Sequence, residues 1–206
     1  MTISYPLALP AQGFAQIRIT ARGNDGAAAS PFTFEQQVQS HAGKRWEADV
    51  IYPPLQRDVA EEVIAFLLSL RGRFGTFLLG DPIGAVPRGS WAGAPLVDGA
   101  HAAAVDVLNL KGFTPSATGV VKKGDCLQLG SGATARLYKS LIDADADGSG
   151  LVALDIWPDL RLPAANDDPV TFNAAQTQFR LADPATAWTI GRARFYGVSF
   201  AAIESL

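Results

Sequence analysis

Apolar and polar residues alternate with a period of two along much of this chain, the mark of strands that bury one face. From Phe14 to Thr20, Ala15, Ile17 and Ile19 alternate with Gln16, Arg18 and Thr20. Turn chemistry at Arg22-Gly23-Asn24-Asp25-Gly26 follows, and a second strand is expected over Phe32 to Val38. Arg45 to Tyr52 sets Trp46, Ala48, Val50 and Tyr52 on one face and Arg45, Glu47, Asp49 and Ile51 on the other. Pro53-Pro54 stops that strand, because proline has no N–H to give a ladder.

From about Gln56 the period changes to 3.6. Val59, Val63, Phe66, Leu67 and Leu70 share one stripe, which predicts an amphipathic helix over Gln56 to Leu70 lying on a sheet. Asp58 with Glu61 resembles a capping box, and Arg71-Gly72 supplies a stop. Phe74 to Leu79 then reads as a strand, closed by Gly80-Asp81-Pro82. Residues 83–104 are rich in Gly, Ala and Pro and read as an extended crossover holding Trp91.

Short β signals follow at Val105 to Leu110, Gly119 to Val121, Cys126 to Leu129, Ala133 to Ile142, Leu151 to Trp157, Val170 to Phe172 and Gln178 to Leu181. The last alternating stretch, Thr189 to Ile203, puts Ala193, Phe195, Gly197, Ser199 and Ala201 on one face. It is expected as a single strand pairing back on the first one. The fold class read from these patterns is mainly β, a β-sandwich with one flanking α-helix plus an inserted small all-β domain. The sandwich takes residues 1–82 and 186–206, and the insertion takes 83–185.

Composition agrees with many turns between short strands. The chain has 206 residues, of which 20 are glycine and 13 proline, and only 18% are charged. A net charge of −3 and no run of more than two basic residues argue against a nucleic-acid face built on phosphate contacts. One cysteine excludes an intrachain disulfide and a multi-thiolate metal site. The start, Met1 to Phe14, is interrupted by Pro6, Pro10 and Gly13 and lacks a basic leader, so no secretory signal is expected. No membrane span is expected either.

Few residues suggest chemistry. Asp143-Ala144-Asp145-Ala146-Asp147-Gly148 matches the opening of a calcium loop, but the twelfth position is Leu154 and both flanks alternate as strands. A hairpin turn explains the same letters, so no metal ligands are assigned. Cys126 with His41 or His101 could only assemble a thiol triad, and a lone thiol inside a strand reads as a small core residue. No catalytic residue and no cofactor site is assigned. Trp46 and Trp188 are expected in the core, whereas Trp91 and Trp157 are the candidates for an intersubunit or surface contact.

The order of these features resembles a family. Trp46 to Tyr52, Pro53-Pro54-Leu55, the helix ending Ala65-Phe66-Leu67-Leu68-Ser69-Leu70-Arg71-Gly72-Arg73, and Phe74-Gly75-Thr76-Phe77-Leu78-Leu79-Gly80-Asp81-Pro82 are similar to distal tail proteins of long, non-contractile-tailed bacteriophages. So are Gly124 to Gly130, Arg136-Leu137-Tyr138-Lys139, the hairpin ending Ile156-Trp157-Pro158-Asp159-Leu160-Arg161, and Tyr196-Gly197-Val198-Ser199-Phe200-Ala201. The resemblance implies a tail-tube-like sandwich and a homo-oligomer, a sixfold adaptor ring between the tail tube protein and the tail tip or hub protein. It places the chain in the virion after synthesis in the host cytoplasm, with DNA passing through the lumen without specific binding. It implies no enzyme activity. No long C-terminal extension is present, so no built-in receptor-binding module is expected. Two other readings compete: a carbohydrate-binding β module with Trp91 and Trp157 as stacking platforms, and a small hydrolase with an acidic pair.

Overall fold

The computed structural model describes residues 3–41, 43–192 and 194–206. Met1, Thr2, Ala42 and Ala193 lie outside the described residues, and with them the face expected for Ala193. In chain order the elements are β1 (Leu7–Ala8), β2 (Gln16–Arg22), β3 (Asp25–Ala29), β4 (Gln36–Ser40), β5 (Arg45–Ile51), α1 (Arg57–Ser69), β6 (Phe77–Leu79), β7 (Leu96–Val97), β8 (Val107–Lys111) and β9 (Cys126–Leu129). After a 3-10 turn at Gly132–Thr134 come β10 (Arg136–Ser140), β11 (Val152–Trp157), β12 (Val170–Thr171), β13 (Thr177–Leu181), β14 (Trp188–Ile190) and β15 (Tyr196–Glu204). The protein is mainly β with one α-helix, as the alternation indicated.

The first sheet runs β1-β6-β13-β15-β5-β2, with β14 also paired to β15. Its central strands are the most regularly patterned in the chain. Trp46, Ala48 and Val50 of β5 and Val198 and Ala202 of β15 are buried on one face, and α1 covers that face with Ala60, Val63, Ile64, Phe66 and Leu67. Phe77 at the centre meets Phe66 and Phe200 edge-on, with ring centroids 5.6 and 5.8 Å apart. The helix forms because its stripe has somewhere to go, since a 13-residue helix is marginal alone in water. No side chain caps it: Gln56 is the N-cap, and Asp58 lies inside the first turn, so the expected capping box is absent.

The second sheet runs β12-β9-β10-β11-β8-β7 around its own core of Leu108, Leu110, Leu127, Tyr138, Leu154, Ile156 and Phe172. It is an excursion between β6 and β13. The chain leaves and returns so tightly that a Cβ on Gly80 would overlap the carbonyl oxygen of Ala175.

Four sequence expectations are corrected. Thr177–Leu181 belongs to the first sheet, between β6 and β15, because Thr177, Phe179 and Leu181 all bury on the helix side; the insertion therefore does not extend to residue 185. Thr189 to Ile203 is a hairpin instead of one strand. Gly191 donates its N–H to the Phe195 carbonyl and Arg194 sits at φ 63, which reverses the chain between β14 and β15. The last strand does not pair with the first, because β5, the more completely buried strand, lies between β15 and β2. Phe32 to Val38 splits into a turn and β4, and its partner β3 occupies residues read as a turn.

The two sheets meet in a seam built around Trp46. Its indole Nε1 donates to the Leu137 carbonyl at 3.0 Å, and its ring meets Trp157 edge-on at 4.4 Å. Cys126 and Leu137 of the second sheet are buried in the first core. Lys44 pairs with Asp159 at 2.7 Å across the same line. Trp157→Ala is therefore expected to lower folding stability by roughly 3 kcal/mol, as removal of a packed aromatic ring does. Trp188→Ala, at a side chain 39% exposed, should change it by less than about 0.5 kcal/mol. Urea unfolding monitored by far-UV circular dichroism measures both.

Candidate assembly surfaces and the seam between the sheets

Strands β3 and β4 form a two-stranded hairpin whose ten residues are all exposed. It prolongs the β2–β5 ribbon beyond the sheet, held at its root by the His41 N–H on the Asn24 carbonyl at 2.8 Å. At the tip, Phe34 adopts φ 57, a left-handed backbone that disfavours a residue with a bulky side chain. Phe32 and Phe34 are 92% and 81% exposed, and Val38 is exposed beside them. Neither strand carries the lysine or proline that commonly protects a free edge: β3 reads Asp-Gly-Ala-Ala-Ala and β4 Gln-Gln-Val-Gln-Ser. A two-stranded hairpin in water is marginal at best, and this one is joined to the sheet through its root alone.

Further unsatisfied edges lie on the first sheet. β2 pairs only with β5, and β14 pairs only with β15. Ile190 and Phe195, in and beside the β14–β15 turn, are exposed, as are Ile83 and Val86 in the crossover. On the sheet face away from α1, Arg18, Arg22, Arg45 and Arg180 stand against Glu47 and Asp49, so the acidic balance of the whole chain is not carried there. Glu47 accepts from Arg22 Nε at 2.5 Å and from Arg45 Nη2 at 2.7 Å. The Arg22 hydrogen bond is the main reason its carboxyl is held below the usual glutamate range, with Arg45 adding to it and burial opposing.

The candidate contact residues are placed differently from this surface. Trp91 is half-buried, its ring 5.5 Å from Phe172 over the second core. Trp157 packs on Trp46 inside the seam. Trp188, expected in the core, is instead exposed on the edge strand β14: it shares a face with its register partner Val198 but lies beyond the cover that buries that residue. Of the arm, only part of β4 was announced, by the strand expected over Phe32 to Val38; β3 was not, since its faces are solvated and alternation encodes burial.

The chemical candidates stay apart. Cys126 is buried, and burial pushes its thiol up, away from thiolate character. His101 accepts the Asn109 N–H at 3.3 Å beside a bridge to Ala164, and His41 is exposed at the root of the arm. Asp143, Asp145 and Asp147 accept backbone N–H groups from Lys123, Gly119 and Leu151 respectively, so each pins a turn. These bonds hold Asp143 and Asp147 below the usual aspartate range. Among the described residues no three His, Cys, Asp or Glu side chains are grouped to hold a metal, and no helix is long and apolar enough to cross a membrane.

Glu204, absent from the sequence candidates, is a tightly constrained ionisable group at the seam. Its side chain is wholly buried. Oε2 accepts from the Trp46 backbone N–H and from Arg161 Nη2, both at 3.0 Å, and Oε1 accepts from Thr177 Oγ1 at 3.0 Å. Tyr138 Oη accepts the Arg161 N–H at 2.9 Å, extending the network into the second sheet. The signal for it was a carboxylate in step with the inward positions Val198, Phe200 and Ala202. Neither a model of a known protein family nor a curated protein matches this chain.

Two outcomes are expected. Glu204→Gln leaves Arg161 buried without a counter-charge and should cost about 3–5 kcal/mol, of which pairing it with Arg161→Met should restore a substantial part; a double-mutant cycle in urea measures this. Folded Glu47 holds its proton less tightly than the unfolded chain, so its contribution is complete above the ordinary value of 4.5 and is lost as pH falls through the lowered folded value. Arg22→Ala should therefore flatten the loss of stability between about pH 5 and pH 3, followed by thermal melts across that range.

Proposed function

We propose that this chain is a structural protein that assembles through its exposed arm and open sheet edges into a ring, serving as the distal tail adaptor of a long, non-contractile-tailed bacteriophage. The observation that carries the reading is the β3–β4 arm with Phe32 and Phe34 at its tip. Burying each ring against a neighbour is worth about 1.5–3 kcal/mol, and both rings are almost fully exposed. A closed ring also gives every free edge an equivalent mate, which an isolated monomer lacks. The mainly β architecture, with its single helix on the first sheet, and the order of motifs from Trp46 to Pro82 support the tail assignment. On this reading the neighbours are further copies of the chain, a tail tube protein on one side and a tail tip or hub protein on the other, and the location is the virion.

The carbohydrate-module alternative required Trp91 and Trp157 as open platforms. Each has a ring face engaged inside the chain, so no observation favours it. The reading predicts that the purified protein, or the assembled particle, shows sixfold rings by negative-stain microscopy. Phe32→Ser with Phe34→Ser should yield a monomer by light scattering while leaving the melting temperature of the fold unchanged, because both side chains lie outside the cores. A wild-type protein that stays monomeric at tens of micromolar and binds glycans would overturn it.

A further inference from the structure

Where the second sheet meets the end of β15, a cleft of about 310 Å³ is lined by Arg136, Asp159, Arg161 and the apolar side chains of Leu160, Leu162 and Leu206. Arg161, with 8% of its side chain exposed, is paired with Glu204, but its Nε is buried without a hydrogen-bond partner. Asp159 is already paired with Lys44. Arg136 is only 9% exposed and donates through Nη1 to the carbonyls of Ala135 and Ala133, at 2.8 and 3.3 Å. Among the described residues no carboxylate is paired with it. Asp168, across an adjoining hollow of about 240 Å³ that Arg136 also lines, accepts the Ala165 N–H instead.

Arg161 is thus paired with Glu204, whereas the buried Arg136 guanidinium meets carbonyl oxygens of Ala133 and Ala135 and, among the described residues, no carboxylate. Carbonyl dipoles solvate such a charge only in part, and an uncompensated ion away from water is costly. The open cleft beside it is of a size to admit a small ligand, near the lower end for binding sites. We propose that this cleft binds a small-molecule carboxylate, with the carboxylate on the Arg136 guanidinium and an apolar tail along Leu160 and Leu162. Guanidinium favours a planar carboxylate, which it can meet with two parallel hydrogen bonds. The site is independent of the ring reading, because it lies at the seam within one chain.

The test is calorimetric titration and thermal unfolding of the full chain with hexanoate, at constant ionic strength, with hexanol and inorganic phosphate as controls. Hexanoate should bind one to one and raise the melting temperature by about 5–10 °C at a hundredfold excess over its Kd. Hexanol and phosphate should bind at least tenfold more weakly. Arg136→Met should weaken hexanoate binding at least tenfold. Ala103→Phe, at an exposed position on the cleft wall, should do the same while the protein remains folded. Equal binding of hexanol or phosphate, undiminished binding to folded Arg136→Met, or no hexanoate effect beyond that of chloride would overturn the proposal.

Discussion

A carboxylate with no exposed surface organises this molecule. Glu204 gathers donors from three separate stretches of chain: the backbone of Trp46 on β5, the hydroxyl of Thr177 on β13 and the guanidinium of Arg161 from the second sheet. In a low-dielectric interior each of those bonds is stronger than it would be in water, and each missing one is correspondingly more costly. The cluster therefore enforces a joint arrangement of the three segments. Trp46 is its structural complement, since its backbone N–H serves Glu204 while its indole N–H serves Leu137 on the other sheet. One residue thus donates to an acceptor on each side of the seam, which ties the excursion to the first sheet.

How much of this could be seen in the sequence depended on burial. β5 and α1 were legible because Trp46, Ala48 and Val50, and Val63, Phe66 and Leu67, repeat with the period of a buried face. β9 was legible for the same reason, bounded by Gly124 and Gly130, both of which adopt positive φ. The arm was illegible because Asp25 to Ala29 buries nothing, and a strand without an inside leaves no alternation. The β14–β15 hairpin was misread because its two strands share one parity, so a continuous alternation hides the reversal at Arg194. Trp46 and Trp188 illustrate the limit for side chains. Both sit in strands, and only the number of neighbouring strands and the cover of α1 separates a 6% exposed ring from a 39% exposed one.

The exposed apolar residues and the balanced interior belong to different parts of the molecule. Phe32, Phe34, Ile190 and Phe195 lie on protruding hairpins, where no internal packing constrains them. Trp157, Arg161 and Glu204 lie in the seam, where packing and hydrogen bonding constrain them almost completely. Substitutions in the first group leave the two cores untouched, and those in the second act on folding itself. The cleft at Arg136 stands between these regimes, with buried charge on one wall and open space on the other.

The continuity of the β2–β5 ribbon with the arm has a mechanical side. β4 is joined to β5 through only four residues, and β5 begins at Arg45, one residue before the indole that crosses the seam. Tension applied at the Phe32–Phe34 tip is carried along a hydrogen-bonded ladder, which resists shear well, and arrives at Trp46, Glu47 and the Glu204 cluster. The tip and the seam are the two ends of one tie rod, so a force on this exposed turn is borne in a hydrogen-bonded interior.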